Sequence, residues 1–171
     1  MAMLVLAAAS FTGCKSLSEM AGEKIAETTL ESATGSNVDL DTDDGSVSIT
    51  TDDGEFNIGS SKVPDNWPSS IPMYSGATVV SSMTSTGSET GKVNGSIGLT
   101  TTDTPSQVIT WYDSHLSGWT KDATASYNMS TGGSTITSAT YKGTDQQVIV
   151  TASLDSSTNQ NTISLMLTDT Y

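Results

Sequence analysis

Apolar and polar residues alternate along most of the chain beyond residue 37, the period expected of half-buried strands. Val38 and Leu40 alternate with Asp39 and Asp41, Val47 and Ile49 with Ser46, Ser48 and Thr50, and Phe56 and Ile58 with Glu55 and Asn57. Asp44-Gly45 and Asp53-Gly54 separate these runs. An Asp-Gly pair suits a hairpin turn whose two central residues need positive φ. Residues 36–60 therefore read as an acidic β-meander with one apolar and one acidic face.

Strand patterning resumes over residues 77–86 and 93–102, and then over 119–129, 134–141, 147–154 and 162–168. Gly132-Gly133, Lys142-Gly143 and residues 155–161 supply the turns. Between the second and third of these runs the period lengthens. Val108, Tyr112 and Leu116 recur every four residues, behind Thr104, Pro105 and Gln107. That order gives an N-cap, a first-turn proline and a capping box, so a helix is expected over 105–117. Gly118 is the expected left-handed stop, with Trp119 making the Schellman contact. The expected fold class is α+β, an antiparallel β-sheet with one helix packed on one face (β-β-α-β-β-β-β). A short helix and the small meander precede it.

The N-terminal part reads differently. Residues 16–33 suggest a weak helix with Ser16 or Ser18 as cap and a thin stripe of Leu17, Ala21, Ile25 and Thr28. An oligomerising coiled coil and a plain spacer are the two readings of it. Residues 1–13, MAMLVLAAASFTG, carry no charge, and the run 3–9 has the length of a signal-peptide core but is too short to span a bilayer. Phe11-Thr12-Gly13-Cys14 follows, with a small residue directly before the chain's one cysteine. The expected organisation is a signal peptide (1–13), a spacer lipidated on Cys14 (14–35), the meander (36–60), a Pro-rich connector (61–76) and the α+β domain (77–171). No basic residue precedes the apolar run, which leaves open whether the start codon lies further upstream. In the connector, Pro64, Pro68 and Pro72 resist helix and central strand alike, and Trp67, Ile71 and Tyr74 are expected against the following domain.

Charge narrows the function classes. The chain has 171 residues, a net charge of −13, six lysines and no arginine. Phosphate contacts need clustered Lys and Arg, so nucleic acid is excluded as a partner. Without a guanidinium fork, acidic ligands are disfavoured, whereas cations are attracted. Twelve of the 19 acids fall by Asp65.

Few motifs carry chemistry. Asp39-Leu40-Asp41-Thr42-Asp43-Asp44-Gly45 has the look of a calcium loop, but Asp44 stands where the loop needs glycine and Thr50 where it needs a bidentate Glu. A solvated strand face accounts for the same acids. His115, the one histidine, sits near a helix end, where a cation is favourable, and Asp113 two residues away points off another face. No nucleophile elbow, metalloprotease, P-loop or dinucleotide motif occurs. No catalytic residue, metal ligand or cofactor is expected. The three tryptophans read as core, with a carbohydrate platform as the alternative.

Three features together resemble a group of bacterial secreted lipoproteins of uncharacterised role. They are the lipobox with an acidic helix and hairpin behind it, the lead-in Pro64-Asp65-Asn66-Trp67-Pro68-Ser69-Ser70-Ile71-Pro72-Met73-Tyr74-Ser75-Gly76-Ala77, and the helix from Thr104 to Trp119 ending in an aromatic. Ser75 departs from the Pro usual in that group. The resemblance implies a lipid on Cys14 and no other functional residue. Expected, then, is an exported, membrane-anchored, non-enzymatic lipoprotein binding an envelope protein or polymer. The alternative is a module for a divalent cation or a small neutral or cationic solute.

Overall fold

The computed structural model describes residues 24, 26–29, 31–32, 36–41, 45–59, 61–155 and 160–170. Nine strands run in chain order: β1 (Asn37–Asp41), β2 (Ser46–Thr51), β3 (Gly54–Gly59), β4 (Thr78–Gly87), β5 (Val93–Thr101), then the helix Pro105–His115, then β6 (Thr120–Thr131), β7 (Ser134–Lys142), β8 (Gln146–Asp155) and β9 (Gln160–Asp169). The chain is β-rich. All nine strands form one antiparallel sheet in the order β1-β2-β3-β4-β5-β9-β8-β7-β6. The meander therefore continues directly into the larger sheet through β3 and β4.

The helix forms where capping chemistry expects it. The Gln107 N–H donates to Thr104 Oγ1 at 3.4 Å, and the Thr104 N–H donates to Gln107 Oε1 at 2.9 Å, which satisfies two donors that the first turn cannot pair. Its end differs from expectation. The helix stops at His115, the Leu116 N–H caps it on Tyr112 O at 3.0 Å, and Gly118 (φ 84) is the third residue of a turn closed by the Trp119 N–H on Leu116 O. The left-handed glycine thus serves that turn, as a type II turn requires, rather than a Schellman cap.

A second correction concerns the β2–β3 hairpin. Thr51 pairs with Gly54, so Asp52 and Asp53 occupy its centre and Gly54 opens β3 at φ 141. A β-carbon there would run into the Thr86 carbonyl of β4, so close strand approach demands the glycine.

The core lies on one face of β5, β9, β8 and β7. Ile97, Leu99, Ile163, Leu165, Leu167, Val148, Val150 and Tyr141 are buried there. The helix covers them with Val108, Ile109, Tyr112 and Leu116, packing on β7 and β8. The connector closes the same core with Trp67, Ile71 and Tyr74, as its aromatic spacing suggested. Two successive turns shape it, Trp67 N–H on Pro64 O and Ile71 N–H on Pro68 O, and Trp67 Nε1 donates to Ile71 O at 3.1 Å. Buried Asn161 of β9 donates its amide to Asp103 O, while Tyr74 donates to Asp103 Oδ2 at 2.7 Å, so β9, the helix lead-in and the connector are tied at one point.

Both sheet edges are blunted. On β1 the outward N–H groups of Leu40 and Val38 donate to Glu27 Oε1 (3.0 Å) and Glu31 Oε1 (3.3 Å) of a helical segment that includes Lys24, Ala26–Thr29, Glu31 and Ser32. On β6 the register jumps between Asp122 and Tyr127, and residues 123–126 bulge out. The Thr124 N–H donates to Asp122 Oδ1, and Thr140 Oγ1 donates to Ala125 O. Edges treated this way resist pairing with a further strand.

Adjacent residues of β9 test the face assignment. Leu165 is fully buried and Met166 is 42% exposed. Leu165→Ala should cost about 2–5 kcal/mol in urea unfolding, and Met166→Ala no more than about 0.5 kcal/mol. Equal costs would contradict the assignment.

Candidate functional site

The sheet changes its apolar side between β3–β4 and the far strands. One transverse row on the helix side reads Asp39, Ser48, Asn57, Thr84, Gly95, Leu167, Val148, Tyr141 and Lys121 on β1, β2, β3, β4, β5, β9, β8, β7 and β6. It is polar over four strands, apolar from β9 through β7, and ends on Lys121 of β6. The neighbouring row, on the opposite side, reads Leu40, Val47, Ile58, Met83, Ser96, Met166, Ile149, Thr140 and Asp122. Six of its nine residues are apolar. Ile58, Met83 and Met166 remain 43%, 45% and 42% exposed, and the helix Pro105–His115 packs on the opposite side; at the β1 end Val38 shares the side of Leu40 and is buried.

Two concavities follow. On the helix side, the polar row and the connector residues Lys62–Asn66 enclose an open cleft of about 620 Å³. Asn66 is fixed at its wall, accepting from Thr84 Oγ1 at 2.9 Å and donating to Thr86 Oγ1 at 3.0 Å. Asn57 donates to Glu55 Oε1 at 2.8 Å. Ser82 also lines the cleft; it is 4% exposed, and its hydroxyl has no hydrogen-bond partner. On the bare side, Ile149, Met166, Gln147 and Asn94 border a shallower hollow of about 860 Å³.

Of the residues singled out in the sequence, those that are described lie apart in space. Cys14, Thr42, Asp43 and Asp44 lie outside the described residues. Asp39 is exposed on β1, on the cleft side. Among the described residues no three His, Cys, Asp or Glu side chains group as metal ligands. His115 stacks on Trp111 with ring centroids 3.9 Å apart, and its Nδ1 lies 2.8 Å from Trp111 O. Asp113 faces elsewhere, pairing with Lys121 at 2.8 Å and accepting from Tyr141 Oη at 2.8 Å. Burial and the Asp113 carboxylate push the Tyr141 hydroxyl up, and burial with Asp103 pushes Tyr74 up to about 12. Lys142 and the Thr124 bonds hold Asp122 well below the usual carboxylate range. These shifts belong to groups that brace the helix, the connector and the β6 bulge. Trp67 is buried, and Trp111 and Trp119 pack half-buried against the core, which leaves no open aromatic platform among them.

Sequence reading missed Ser82, Asn57 and Asn66. One signal was available. Val79-Val80 followed by Ser81-Ser82 breaks the alternation, and the structure places a bulge there, with Val79 opposite Leu99 and Ser81 opposite Gly98.

The chain matches no protein-family model, no curated protein and no solved structure. Among the described residues no helix is long and apolar enough to cross a membrane.

The dispersed carboxylates predict a null result with calcium. At constant ionic strength, calcium should leave the melting temperature unchanged, because a ligand bound only by the folded state would raise it saturably. A saturable rise at micromolar calcium would contradict this.

Proposed function

We propose that this chain is an exported lipoprotein, anchored through a lipid on Cys14, that binds an envelope protein or polymer without catalysing a reaction. In this reading the body is an α+β unit of order β-β-α-β-β-β-β, with Pro105–His115 as the cover of one face. The other face is the binding surface. The observation that carries the reading is the transverse apolar row on the bare side, Leu40, Val47, Ile58, Met83, Met166 and Ile149, interrupted only by Ser96 before it reaches β7. Contiguous exposed apolar surface on a soluble body marks an interaction site. The blunted edges favour docking on the face over strand addition. A net charge of −13 keeps nucleic acid out of the reading.

Anchoring and docking are tested separately. Metabolic labelling with a fatty-acid analogue should mark the wild type and leave Cys14→Ser unlabelled; an unlabelled wild type would refute the anchor. For docking, a benzophenone side chain placed at Met83 or Met166 should cross-link in intact cells to one discrete envelope component, and one placed at Thr110 on the helix should not. Ile58→Asp should abolish the adduct from Met83. Equal cross-linking from both faces would refute the surface.

A further inference from the structure

The cleft on the helix side has a different character from the bare face, and its chemistry is one-sided. Among the described residues its charged rim holds three carboxylates, Asp39, Glu55 and Asp65, and the ammonium of Lys62. The carboxylates come from β1, β3 and the connector, and they do not converge as a metal-ligand group. A compact hard cation needs six to eight oxygens gathered within about 2.6 Å. Dispersed carboxylates suit a longer ligand with separated positive charges. Val63 and Pro64 add an aliphatic stretch beside them.

The floor supplies the second observation. Ser82 is 4% exposed, its hydroxyl is unpartnered, and it faces the cleft. A buried hydroxyl without a partner is destabilising, so a ligand that pairs with it regains that loss. Gly59 preserves the space, since a β-carbon there would lie 2.8 Å from Ser82 Oγ. The Asn66 amide is already satisfied by Thr84 and Thr86, whereas the buried Ser82 hydroxyl at the bottom has no partner.

We propose that this cleft binds a linear polyamine, with Ser82 Oγ accepting from one ammonium group and Asp39, Glu55 and Asp65 pairing with the others. The cleft volume of about 620 Å³ lies within the ordinary range for small-molecule sites. The proposal is independent of docking on the bare face, which lies on the other side of the sheet.

Titration calorimetry of the full-length protein with spermidine, at about 0.15 M ionic strength, tests it. The wild type should show saturable one-to-one binding. Ser82→Ala should weaken that binding about tenfold, the loss of one charge-assisted hydrogen bond. The same substitution should leave the melting temperature of the unliganded protein unchanged or raised, because it removes an unsatisfied buried group. Gly59→Ala, which crowds the hydroxyl from the paired position on β3, should weaken binding as well. Absence of saturable heat would overturn the proposal. So would binding that neither substitution alters, since that would be adsorption to the overall negative charge.

Discussion

Across the β3–β4 seam Asn57 lies opposite Thr84 and Ile58 opposite Met83. Side chains alternate between faces, so a one-residue slip would exchange every side chain of the meander between the two sides. In the observed register the meander puts its polar residues beside the apolar core of the larger sheet, and its apolar residues beside Met83 on the bare side. Both concavities depend on this. The cleft exists because Ser48, Asn57 and Ser82 continue the core face in polar form, and the transverse apolar row exists because Val47 and Ile58 extend the line of Met83.

Few elements position this seam. The connector reaches from the end of β3 to the start of β4 and is pinned on both sides. Asn66 bonds to Thr84 and Thr86, while Trp67, Ile71 and Tyr74 are buried against the core. Gly54 lets β3 approach the Thr86 carbonyl. The helix Pro105–His115 covers only the β7–β8 side of the sheet, and on the β1–β4 half the described helical residues 24–32 meet the β1 strand through Glu27 and Glu31. The β1–β4 half holds the cleft and the greater part of the apolar row.

Local chemistry explains what was legible in the sequence. Period-two alternation identified all six strands of residues 77–171, with ends moved by one or two residues, and the capping box at Thr104 located the helix start. Both signals act within a few residues. The pairing of β3 with β4 spans the proline-rich connector and leaves no local trace. Glu27 and Glu31 satisfy the β1 edge, a contact between segments that no local pattern marks. Ser82 looked like one more serine in a Ser/Thr-rich strand. Its importance arises from burial without a partner, which only the assembled sheet creates. The acidic run Asp39–Asp44 drew attention through charge, and Asp39, its described member at the cleft, lies there beside groups far away in sequence.

Methyl–methyl NOEs in the isotopically labelled protein test the seam most directly. Directly opposite side chains on one face lie about 4.5–5.5 Å apart at their β-carbons. The Ile58 methyls should therefore show contacts to the Met83 ε-methyl and to Val47, and none to Ile97 or Leu165. Contacts from Ile58 or Val47 into the Ile97–Leu165 core would mean that the meander's apolar face joins the core. The polar cleft and the bare apolar row would then both be wrong.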